Sequence, residues 1–226
     1  MSRVGRLLRT GYYTAGYGRR FPGHDRVERF VRDFEAREAK GDTPRERAAW
    51  DAQYARGEWD HLAGLGEQAY YAVIVGYGTF FAPGGSVLDV GCGEGVLHSR
   101  WLPHGYERYV GLDISEVAVR RLAQRVDERT EFRAADADTH TPDGKFDVIV
   151  FNESLYYLTD PLAALERYER ALTPDGVVIV SMFLGSRRSR AILGAVRRER
   201  RVVDSTRTTQ GATSWECLVL KTLQPA

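Results

Sequence analysis

One nine-residue stretch constrains this chain more than any other. Val87-Leu88-Asp89-Val90-Gly91-Cys92-Gly93-Glu94-Gly95 carries a short apolar run into three alternating glycines, and residues 94–102 then continue as an amphipathic segment. An apolar run of this kind fits a strand buried on both faces, as in a parallel sheet covered by helices. The glycines permit a tight turn and let a ligand approach the backbone closely. Their spacing is not the Gly-x-Gly-x-x-Gly of a dinucleotide loop. No Gly-Lys-Ser/Thr follows, so the loop is not a P-loop either. Asp89 and Glu94 add negative charge beside the turn, which suits a cationic ligand better than a phosphate.

The rest of the chain agrees with that start. Short β-rich apolar runs at residues 86–90, 109–112, 130–134, 146–151 and 177–182 alternate with amphipathic segments at 94–102, 116–126 and 161–172. This alternation predicts an α/β, Rossmann-like fold. A basic helix near residues 187–198 precedes two further strands, 201–209 and 214–223, joined by Gln210-Gly211-Ala212-Thr213. So short a link makes those two strands antiparallel, because a parallel crossover needs about a dozen residues. The expectation is five parallel strands followed by an antiparallel terminal hairpin. Upstream, Val27, Phe30, Val31 and Phe34 recur at helical spacing, and Thr43-Pro44 is a good helix start. A further helix is expected over residues 67–81, stopped by Pro83-Gly84-Gly85. The division expected is an N-terminal arm and helical cap over 1–82, whose Tyr12, Tyr13 and Tyr17 form a candidate lid, and a ligand-binding domain over 83–226.

Composition narrows the class. At 226 residues with 43% hydrophobic content, the chain can bury a sizeable core. Cys92 and Cys217 are too few and too far apart for a disulfide scaffold or a zinc site. No apolar run approaches the roughly 18 residues of a membrane span. Arg3, Arg6 and Arg9 surround too little apolar sequence for a secretory signal, so a cytoplasmic location is expected. Residues 61–180 carry net −8 and residues 181–226 net +6. An acidic centre makes nucleic acid an unlikely partner. The Arg-rich 187–201 segment is either a solvated helix face or a docking patch, and a homodimer stays open.

Acidic residues recur where strands end. Asp113 closes the second run and lies 22 residues beyond Gly91. A carboxylate there is placed to accept ribose hydroxyls. Asp136 closes the third and could take an adenine amino group, with the Ala137 N–H aimed at a ring nitrogen. Strand-end groups on one sheet edge converge on one crevice.

On these residues the chain resembles class I S-adenosylmethionine-dependent methyltransferases. Residues 87–95 resemble the family's first motif, Gly111-Leu112-Asp113-Ile114-Ser115 the second, Ala135-Asp136-Ala137 the third. Residues 146–151 match its fourth strand, and Leu172-Thr173-Pro174-Asp175-Gly176-Val177 the turn before the fifth. The resemblance implies a seven-stranded sheet and S-adenosyl-L-methionine as cofactor. It places Asp89, Gly91, Cys92 and Gly93 near the methionine moiety, with Asp113 on the ribose and Ile114 beside it. The segment from Trp50 to Leu62 resembles a cofactor-covering helix and brings Tyr54 and Trp59 to the site.

Methyl transfer asks the protein to align two partners, exclude water and, for a hydroxyl or ammonium acceptor, remove a proton. The fourth strand ends in Phe151-Asn152-Glu153-Ser154-Leu155-Tyr156-Tyr157. Asn152 is expected to face the cofactor and Glu153 the acceptor, burial among tyrosines making Glu153 a usable base. This ending resembles sugar-amine N-methyltransferases, implying a small-molecule methyl acceptor. His140 is a second catalytic candidate; His98 and His104 read as structural or solvated, and His24 and His61 fall in the lid region. No metal is expected, because Asn152-Glu153 alone is not a ligand set. The rival readings are an RNA or protein methyltransferase docking through the basic C-terminal segment, and a non-catalytic cofactor-binding subunit.

Overall fold

The computed structural model describes residues 46–222, together with Pro22, Arg26 and Val27. The Tyr12–Tyr17 aromatics, His24, most of the 27–34 helical pattern and the Thr43-Pro44 start lie outside the described residues.

Seven strands form one sheet: β1 (Val87–Val90), β2 (Tyr109–Asp113), β3 (Thr130–Ala134), β4 (Phe146–Asn152), β5 (Leu172–Phe183), β6 (Arg201–Gln210) and β7 (Thr213–Lys221). Their order is β3-β2-β1-β4-β5-β7-β6. The first five are parallel, and β7 runs antiparallel to both β5 and β6. The helices are α1 (Arg47–Ala55), α2 (Gln68–Phe81), α3 (Val96–Trp101), α4 (Glu116–Arg121), α5 (Pro161–Glu169) and α6 (Arg187–Glu199). The expected seven-stranded fold with its antiparallel terminal hairpin is the one observed.

Of the boundaries that differ from expectation, two have a clear local cause. β5 starts five residues early, at Leu172, because Thr173 to Gly176 are taken up in a register shift against β4 between Phe146 and Val148. The hairpin link is Gly211-Ala212 alone, since Gln210 and Thr213 still pair and Gly211 supplies the positive φ of +60° that a two-residue turn needs.

Alternation along the strands sends side chains to two cores. Leu88, Val90, Leu112, Ile149 and Val180 meet Leu165 and Tyr168 of α5 and Leu193 and Val196 of α6. On the other face Val87, Tyr109, Val150 and Ile179 meet Tyr70, Tyr71 and Ile74 of α2 and Leu97 and Trp101 of α3. Each such fully buried side chain contributes about 1.5–3 kcal/mol. The chain winds outward in both directions from the β1–β4 pair, so the strand order reverses there. In an open α/β sheet a ligand crevice forms beyond the carboxyl ends at that switch point.

Candidate active site

The glycine turn is folded onto the end of β2. The Gly91 and Cys92 amides donate to the Leu112 carbonyl at 2.7 and 2.8 Å, and Gly91, Gly93 and Gly95 all take positive φ. The Gly93 amide donates to Asp113 Oδ2 at 2.9 Å, and the Ser115 amide to Oδ1 at 2.8 Å. Asp113 is therefore buried and stitches the turn to the second strand. Burial pushes its carboxyl up, while the two amides pull it back down. Each carboxylate oxygen keeps a further lone pair for a ligand.

Asp89 is buried on β1. Its Oδ2 accepts from the Tyr109 hydroxyl at 2.7 Å, and its Oδ1 has no partner. Burial pushes it up to about 7 despite the Tyr109 bond, with Asp113 adding to the rise. Glu94, read as negative charge beside the turn, is ion-paired with Arg121 of α4. Cys92 is buried within the turn, and burial raises its thiol well above the usual range, which leaves it no role as a nucleophile.

The segment after β3 is tied into a turn. Asp136 Oδ1 accepts from the Asp138 amide at 2.9 Å, and Arg167 donates to the carbonyls of Ala137 and His140 at 2.6 and 3.1 Å. His140 is half-buried; burial lowers its pKa, and the charges it feels are Asp143, Arg133 and Arg167. His140 follows β3 and Glu153 follows β4, and β2 and β1 lie between those two strands in the sheet. His98 is buried behind the turn, 2.8 Å from the Tyr106 hydroxyl, a structural placement.

The cover is α1 and the short turns after it. Trp50 and Tyr54 are buried. Trp50 meets Tyr157 edge-on at 4.8 Å and Trp59 at 5.7 Å. A Cβ built on Gly93 would stand 2.9 Å from the Tyr54 hydroxyl, so only glycine lets this ring settle on the turn. The indole nitrogen of Trp59 is buried without a partner.

Beyond β4 the chain turns sharply. Glu153 has φ +54°, the left-handed region that a residue with a side chain enters at a cost of about 1–3 kcal/mol and that clusters at functional sites. Its amide donates to the Ser181 carbonyl at 2.9 Å. Glu153 Oε2 accepts from the Tyr156 hydroxyl at 2.9 Å, while Oε1 is buried and unpartnered. Burial pushes the carboxyl up to about 8; the Tyr156 bond opposes this and Glu67 adds to it. Asn152 pairs in register with Ser181, and Asn152 Oδ1 and Ser181 Oγ are likewise buried without partners. Ser154 Oγ donates to the Val90 carbonyl, and a Cβ on Gly91 would lie 2.5 Å from Ser154 Cβ, so the two loops flanking the switch point interlock.

Sequence reasoning missed Asp51, Glu67 and Ser181. Ser181 carried a signal, a lone hydroxyl in an otherwise apolar strand. Glu67 stood in front of an apolar helix, where it reads as an ordinary first-turn acid.

A seven-stranded sheet in this order, with a glycine turn and strand-end carboxylates at its switch point, defines the class I S-adenosylmethionine-dependent methyltransferases. The chain belongs to the methyltransferase-domain family, which it matches over residues 28–221. The 27-O-demethylrifamycin SV methyltransferase of Amycolatopsis mediterranei (strain S699) is 31% identical over 144 residues, covering 60% of this chain and 53% of that protein. The ribosomal protein L11 methyltransferase of Thermosipho africanus (strain TCF52B) is 34% identical over 111 residues, covering 48% and 41%. The chain thus spans about half the length of these curated relatives. Among solved structures, N-methyltransferase NodS from Bradyrhizobium japonicum WM9, in complex with S-adenosyl-L-homocysteine, superposes with a TM-score of 0.66 at 18% identity, covering 77% of this chain and 97% of that one. That likeness is one of fold. No helix among the described residues is long and apolar enough to cross a membrane.

Proposed function

We propose that this chain transfers a methyl group from S-adenosylmethionine to a nitrogen or oxygen of a small polar acceptor, such as a sugar or natural-product intermediate. One observation carries this reading. Asp89 Oδ1, Asn152 Oδ1, Glu153 Oε1, Ser181 Oγ and the Trp59 indole N–H are all buried and unpartnered among the described residues. Native proteins leave few such groups unpaired, and each costs about 1–3 kcal/mol. Here they gather at the carboxyl ends of β1, β4 and β5 and in the segments covering them, so a bound ligand would complete them.

The residues fit the methyl donor. Gly91, Cys92 and Gly93 offer backbone at close range, and Asp89 offers a carboxylate to its amino group. Asp113, with Ile114 beside it, is assigned to the ribose, and Asp136 with the Ala137 amide to the adenine. Tyr54 and Trp59 cover the site and keep water out, and Asn152 stands between donor and acceptor. S-adenosylmethionine supplies a methyl group already activated on a positively charged sulfur. The protein's remaining work is alignment, water exclusion and proton removal. Glu153 is assigned the last: a carboxyl near 8 is well matched to proton transfer close to neutral pH. His140, the other candidate, is assigned no part in this step.

Isothermal titration with S-adenosylhomocysteine tests the reading. Binding in the micromolar range, weakened at least tenfold by Asp113→Ala, is expected. No binding by the wild-type chain would overturn it.

A further inference from the structure

The segment after β3 closes on itself as a single turn. The Thr139 and His140 amides both donate to the Asp136 carbonyl, at 3.1 and 2.8 Å. A planar trans peptide sends its C=O and its N–H in opposite directions. The Asp136 carbonyl faces into the turn, so the Ala137 N–H of the same peptide faces out of it. That amide takes no partner among the described residues. The Asp136 carboxylate accepts from the Asp138 amide through Oδ1 alone, at 2.9 Å, which leaves Oδ2 to a ligand.

Two distant elements hold this turn. Asp138 accepts from the Thr159 amide at 2.9 and 3.1 Å and from the Thr159 hydroxyl at 2.8 Å. From the last turn of α5, Arg167 Nη2 donates to the Ala137 carbonyl at 2.6 Å and Nε to the His140 carbonyl at 3.1 Å. The guanidinium lies 5.6 Å from the Tyr168 ring centroid and pairs with no carboxylate among the described residues. Its hold falls on a telling bond. The Ala137 carbonyl and the Asp138 amide belong to one rigid peptide. Arg167 grips one end of that peptide, and the other end aims the Asp136 carboxylate.

An acceptor and a donor side by side match the edge of one purine and mismatch another. Adenine offers an amino donor next to a ring-nitrogen acceptor. Hypoxanthine offers a carbonyl acceptor next to a ring N–H donor. We infer that Arg167 is a positioning residue for purine recognition: through the Ala137–Asp138 peptide it keeps the Asp136 carboxylate aimed at the amino group of adenine, beside the outward Ala137 amide. This rests on the methyltransferase reading and deepens it, because Arg167 acts at one remove from the groups assigned to the base. Without its fork the Asp138–Thr159 bonds still tether the turn, but the peptide is free to rotate and the carboxylate loses its aim. A merely structural role would weaken every nucleoside alike, whereas a lost aim removes the advantage of adenine.

The test titrates the full chain with S-adenosylhomocysteine and with S-inosylhomocysteine, which carries hypoxanthine in place of adenine. A site that hydrogen-bonds its ligand rejects the mismatched analogue, so the wild type is expected to bind the first about twentyfold or more tightly. Arg167→Met keeps an unbranched stem against Tyr168 and removes both donated bonds; it should cut that ratio about fivefold or more. Arg167→Lys keeps the charge and can still reach one carbonyl; it should give an intermediate ratio, and it serves if the methionine variant does not fold. A ratio unchanged in a folded variant, or a wild type that binds both nucleosides equally, would overturn the role of Arg167. Failure of the wild type to bind either nucleoside would instead overturn the methyltransferase reading, and that measurement is made before any variant is compared.

Discussion

Asp51 and Ser115 join the cover to the sheet: the Ser115 hydroxyl donates to Asp51 Oδ1 at 2.6 Å, and the Val117 amide donates to the same oxygen at 3.0 Å. Ser115 also caps α4 and, through its own amide, holds Asp113. A line of contacts thus runs from α1 through Ser115 and Asp113 to the Gly93 amide.

Breaking the first link should loosen the cover before it harms the fold. Asp51→Ala removes a carboxylate near the surface, where solvent screens part of its effect, so the expected loss is only about 1 kcal/mol. Affinity for S-adenosylhomocysteine should fall about fivefold by titration. The Ser115 bond, then the Val117 amide, holds Asp51 below the usual carboxylate range. Its contribution is present above the unfolded value and is lost as pH falls through the folded one. The wild-type advantage over Asp51→Ala should therefore shrink on acidification.

Gly93→Ala should fail for two separable reasons. Position 93 has φ +52°, and the new Cβ would meet the Tyr54 hydroxyl oxygen at 2.9 Å, with the next ring atom at 3.7 Å. Cofactor affinity should drop more than tenfold. Adding Tyr54→Phe removes the clashing oxygen and should recover part of the loss. The remainder is backbone strain of about 1 kcal/mol. No recovery in the double variant would show that Tyr54 does not close on the turn.

Glu153→Gln should lower kcat by 10²–10⁴, the usual range for a lost general base. In the wild type kcat/KM should rise with pH and level off above about 8, as the carboxyl deprotonates. The stability effect has the opposite direction. A carboxyl raised from 4.5 to about 8 on folding adds stability that is complete below 4.5 and is lost as pH rises through 8. Thermal melts should therefore show the variant losing less stability than the wild type between pH 5 and pH 9.

Neither cysteine should react in the native state. Cys92 and Cys217 are buried, and burial pushes Cys217 up to about 12 and Cys92 well above its ordinary value. Iodoacetamide at pH 8 should leave both intact by mass spectrometry, and modify both once denaturant is added. Rapid native alkylation of Cys92 would mean that the glycine turn opens.

The sheet was legible because buried parallel strands write themselves as unbroken apolar runs, and the terminal hairpin because a tight link leaves one geometry. The place of Asp113 was legible because it stands where β2 stops, whereas Asp89 lies one residue before the end of β1 and Asp136 two residues beyond the end of β3. What escaped was contact between distant segments. Nothing in the run Trp50-Asp51-Ala52 says that Asp51 will meet a serine 64 residues later. The ion pair of Glu94 escaped because its partner Arg121 lies at the far end of the next helix but one. His140 was plausible by its place after β3, but the charges around it depend on how Arg167 folds back from α5.

Asn152 and Glu153 are consecutive residues, and the separation of their backbones is therefore a matter of covalent geometry, with about 3.8 Å between Cα atoms. The torsion at Glu153 turns one chain position into two directions of approach. The spacing of these two backbone positions is thereby independent of the side chains packed around them.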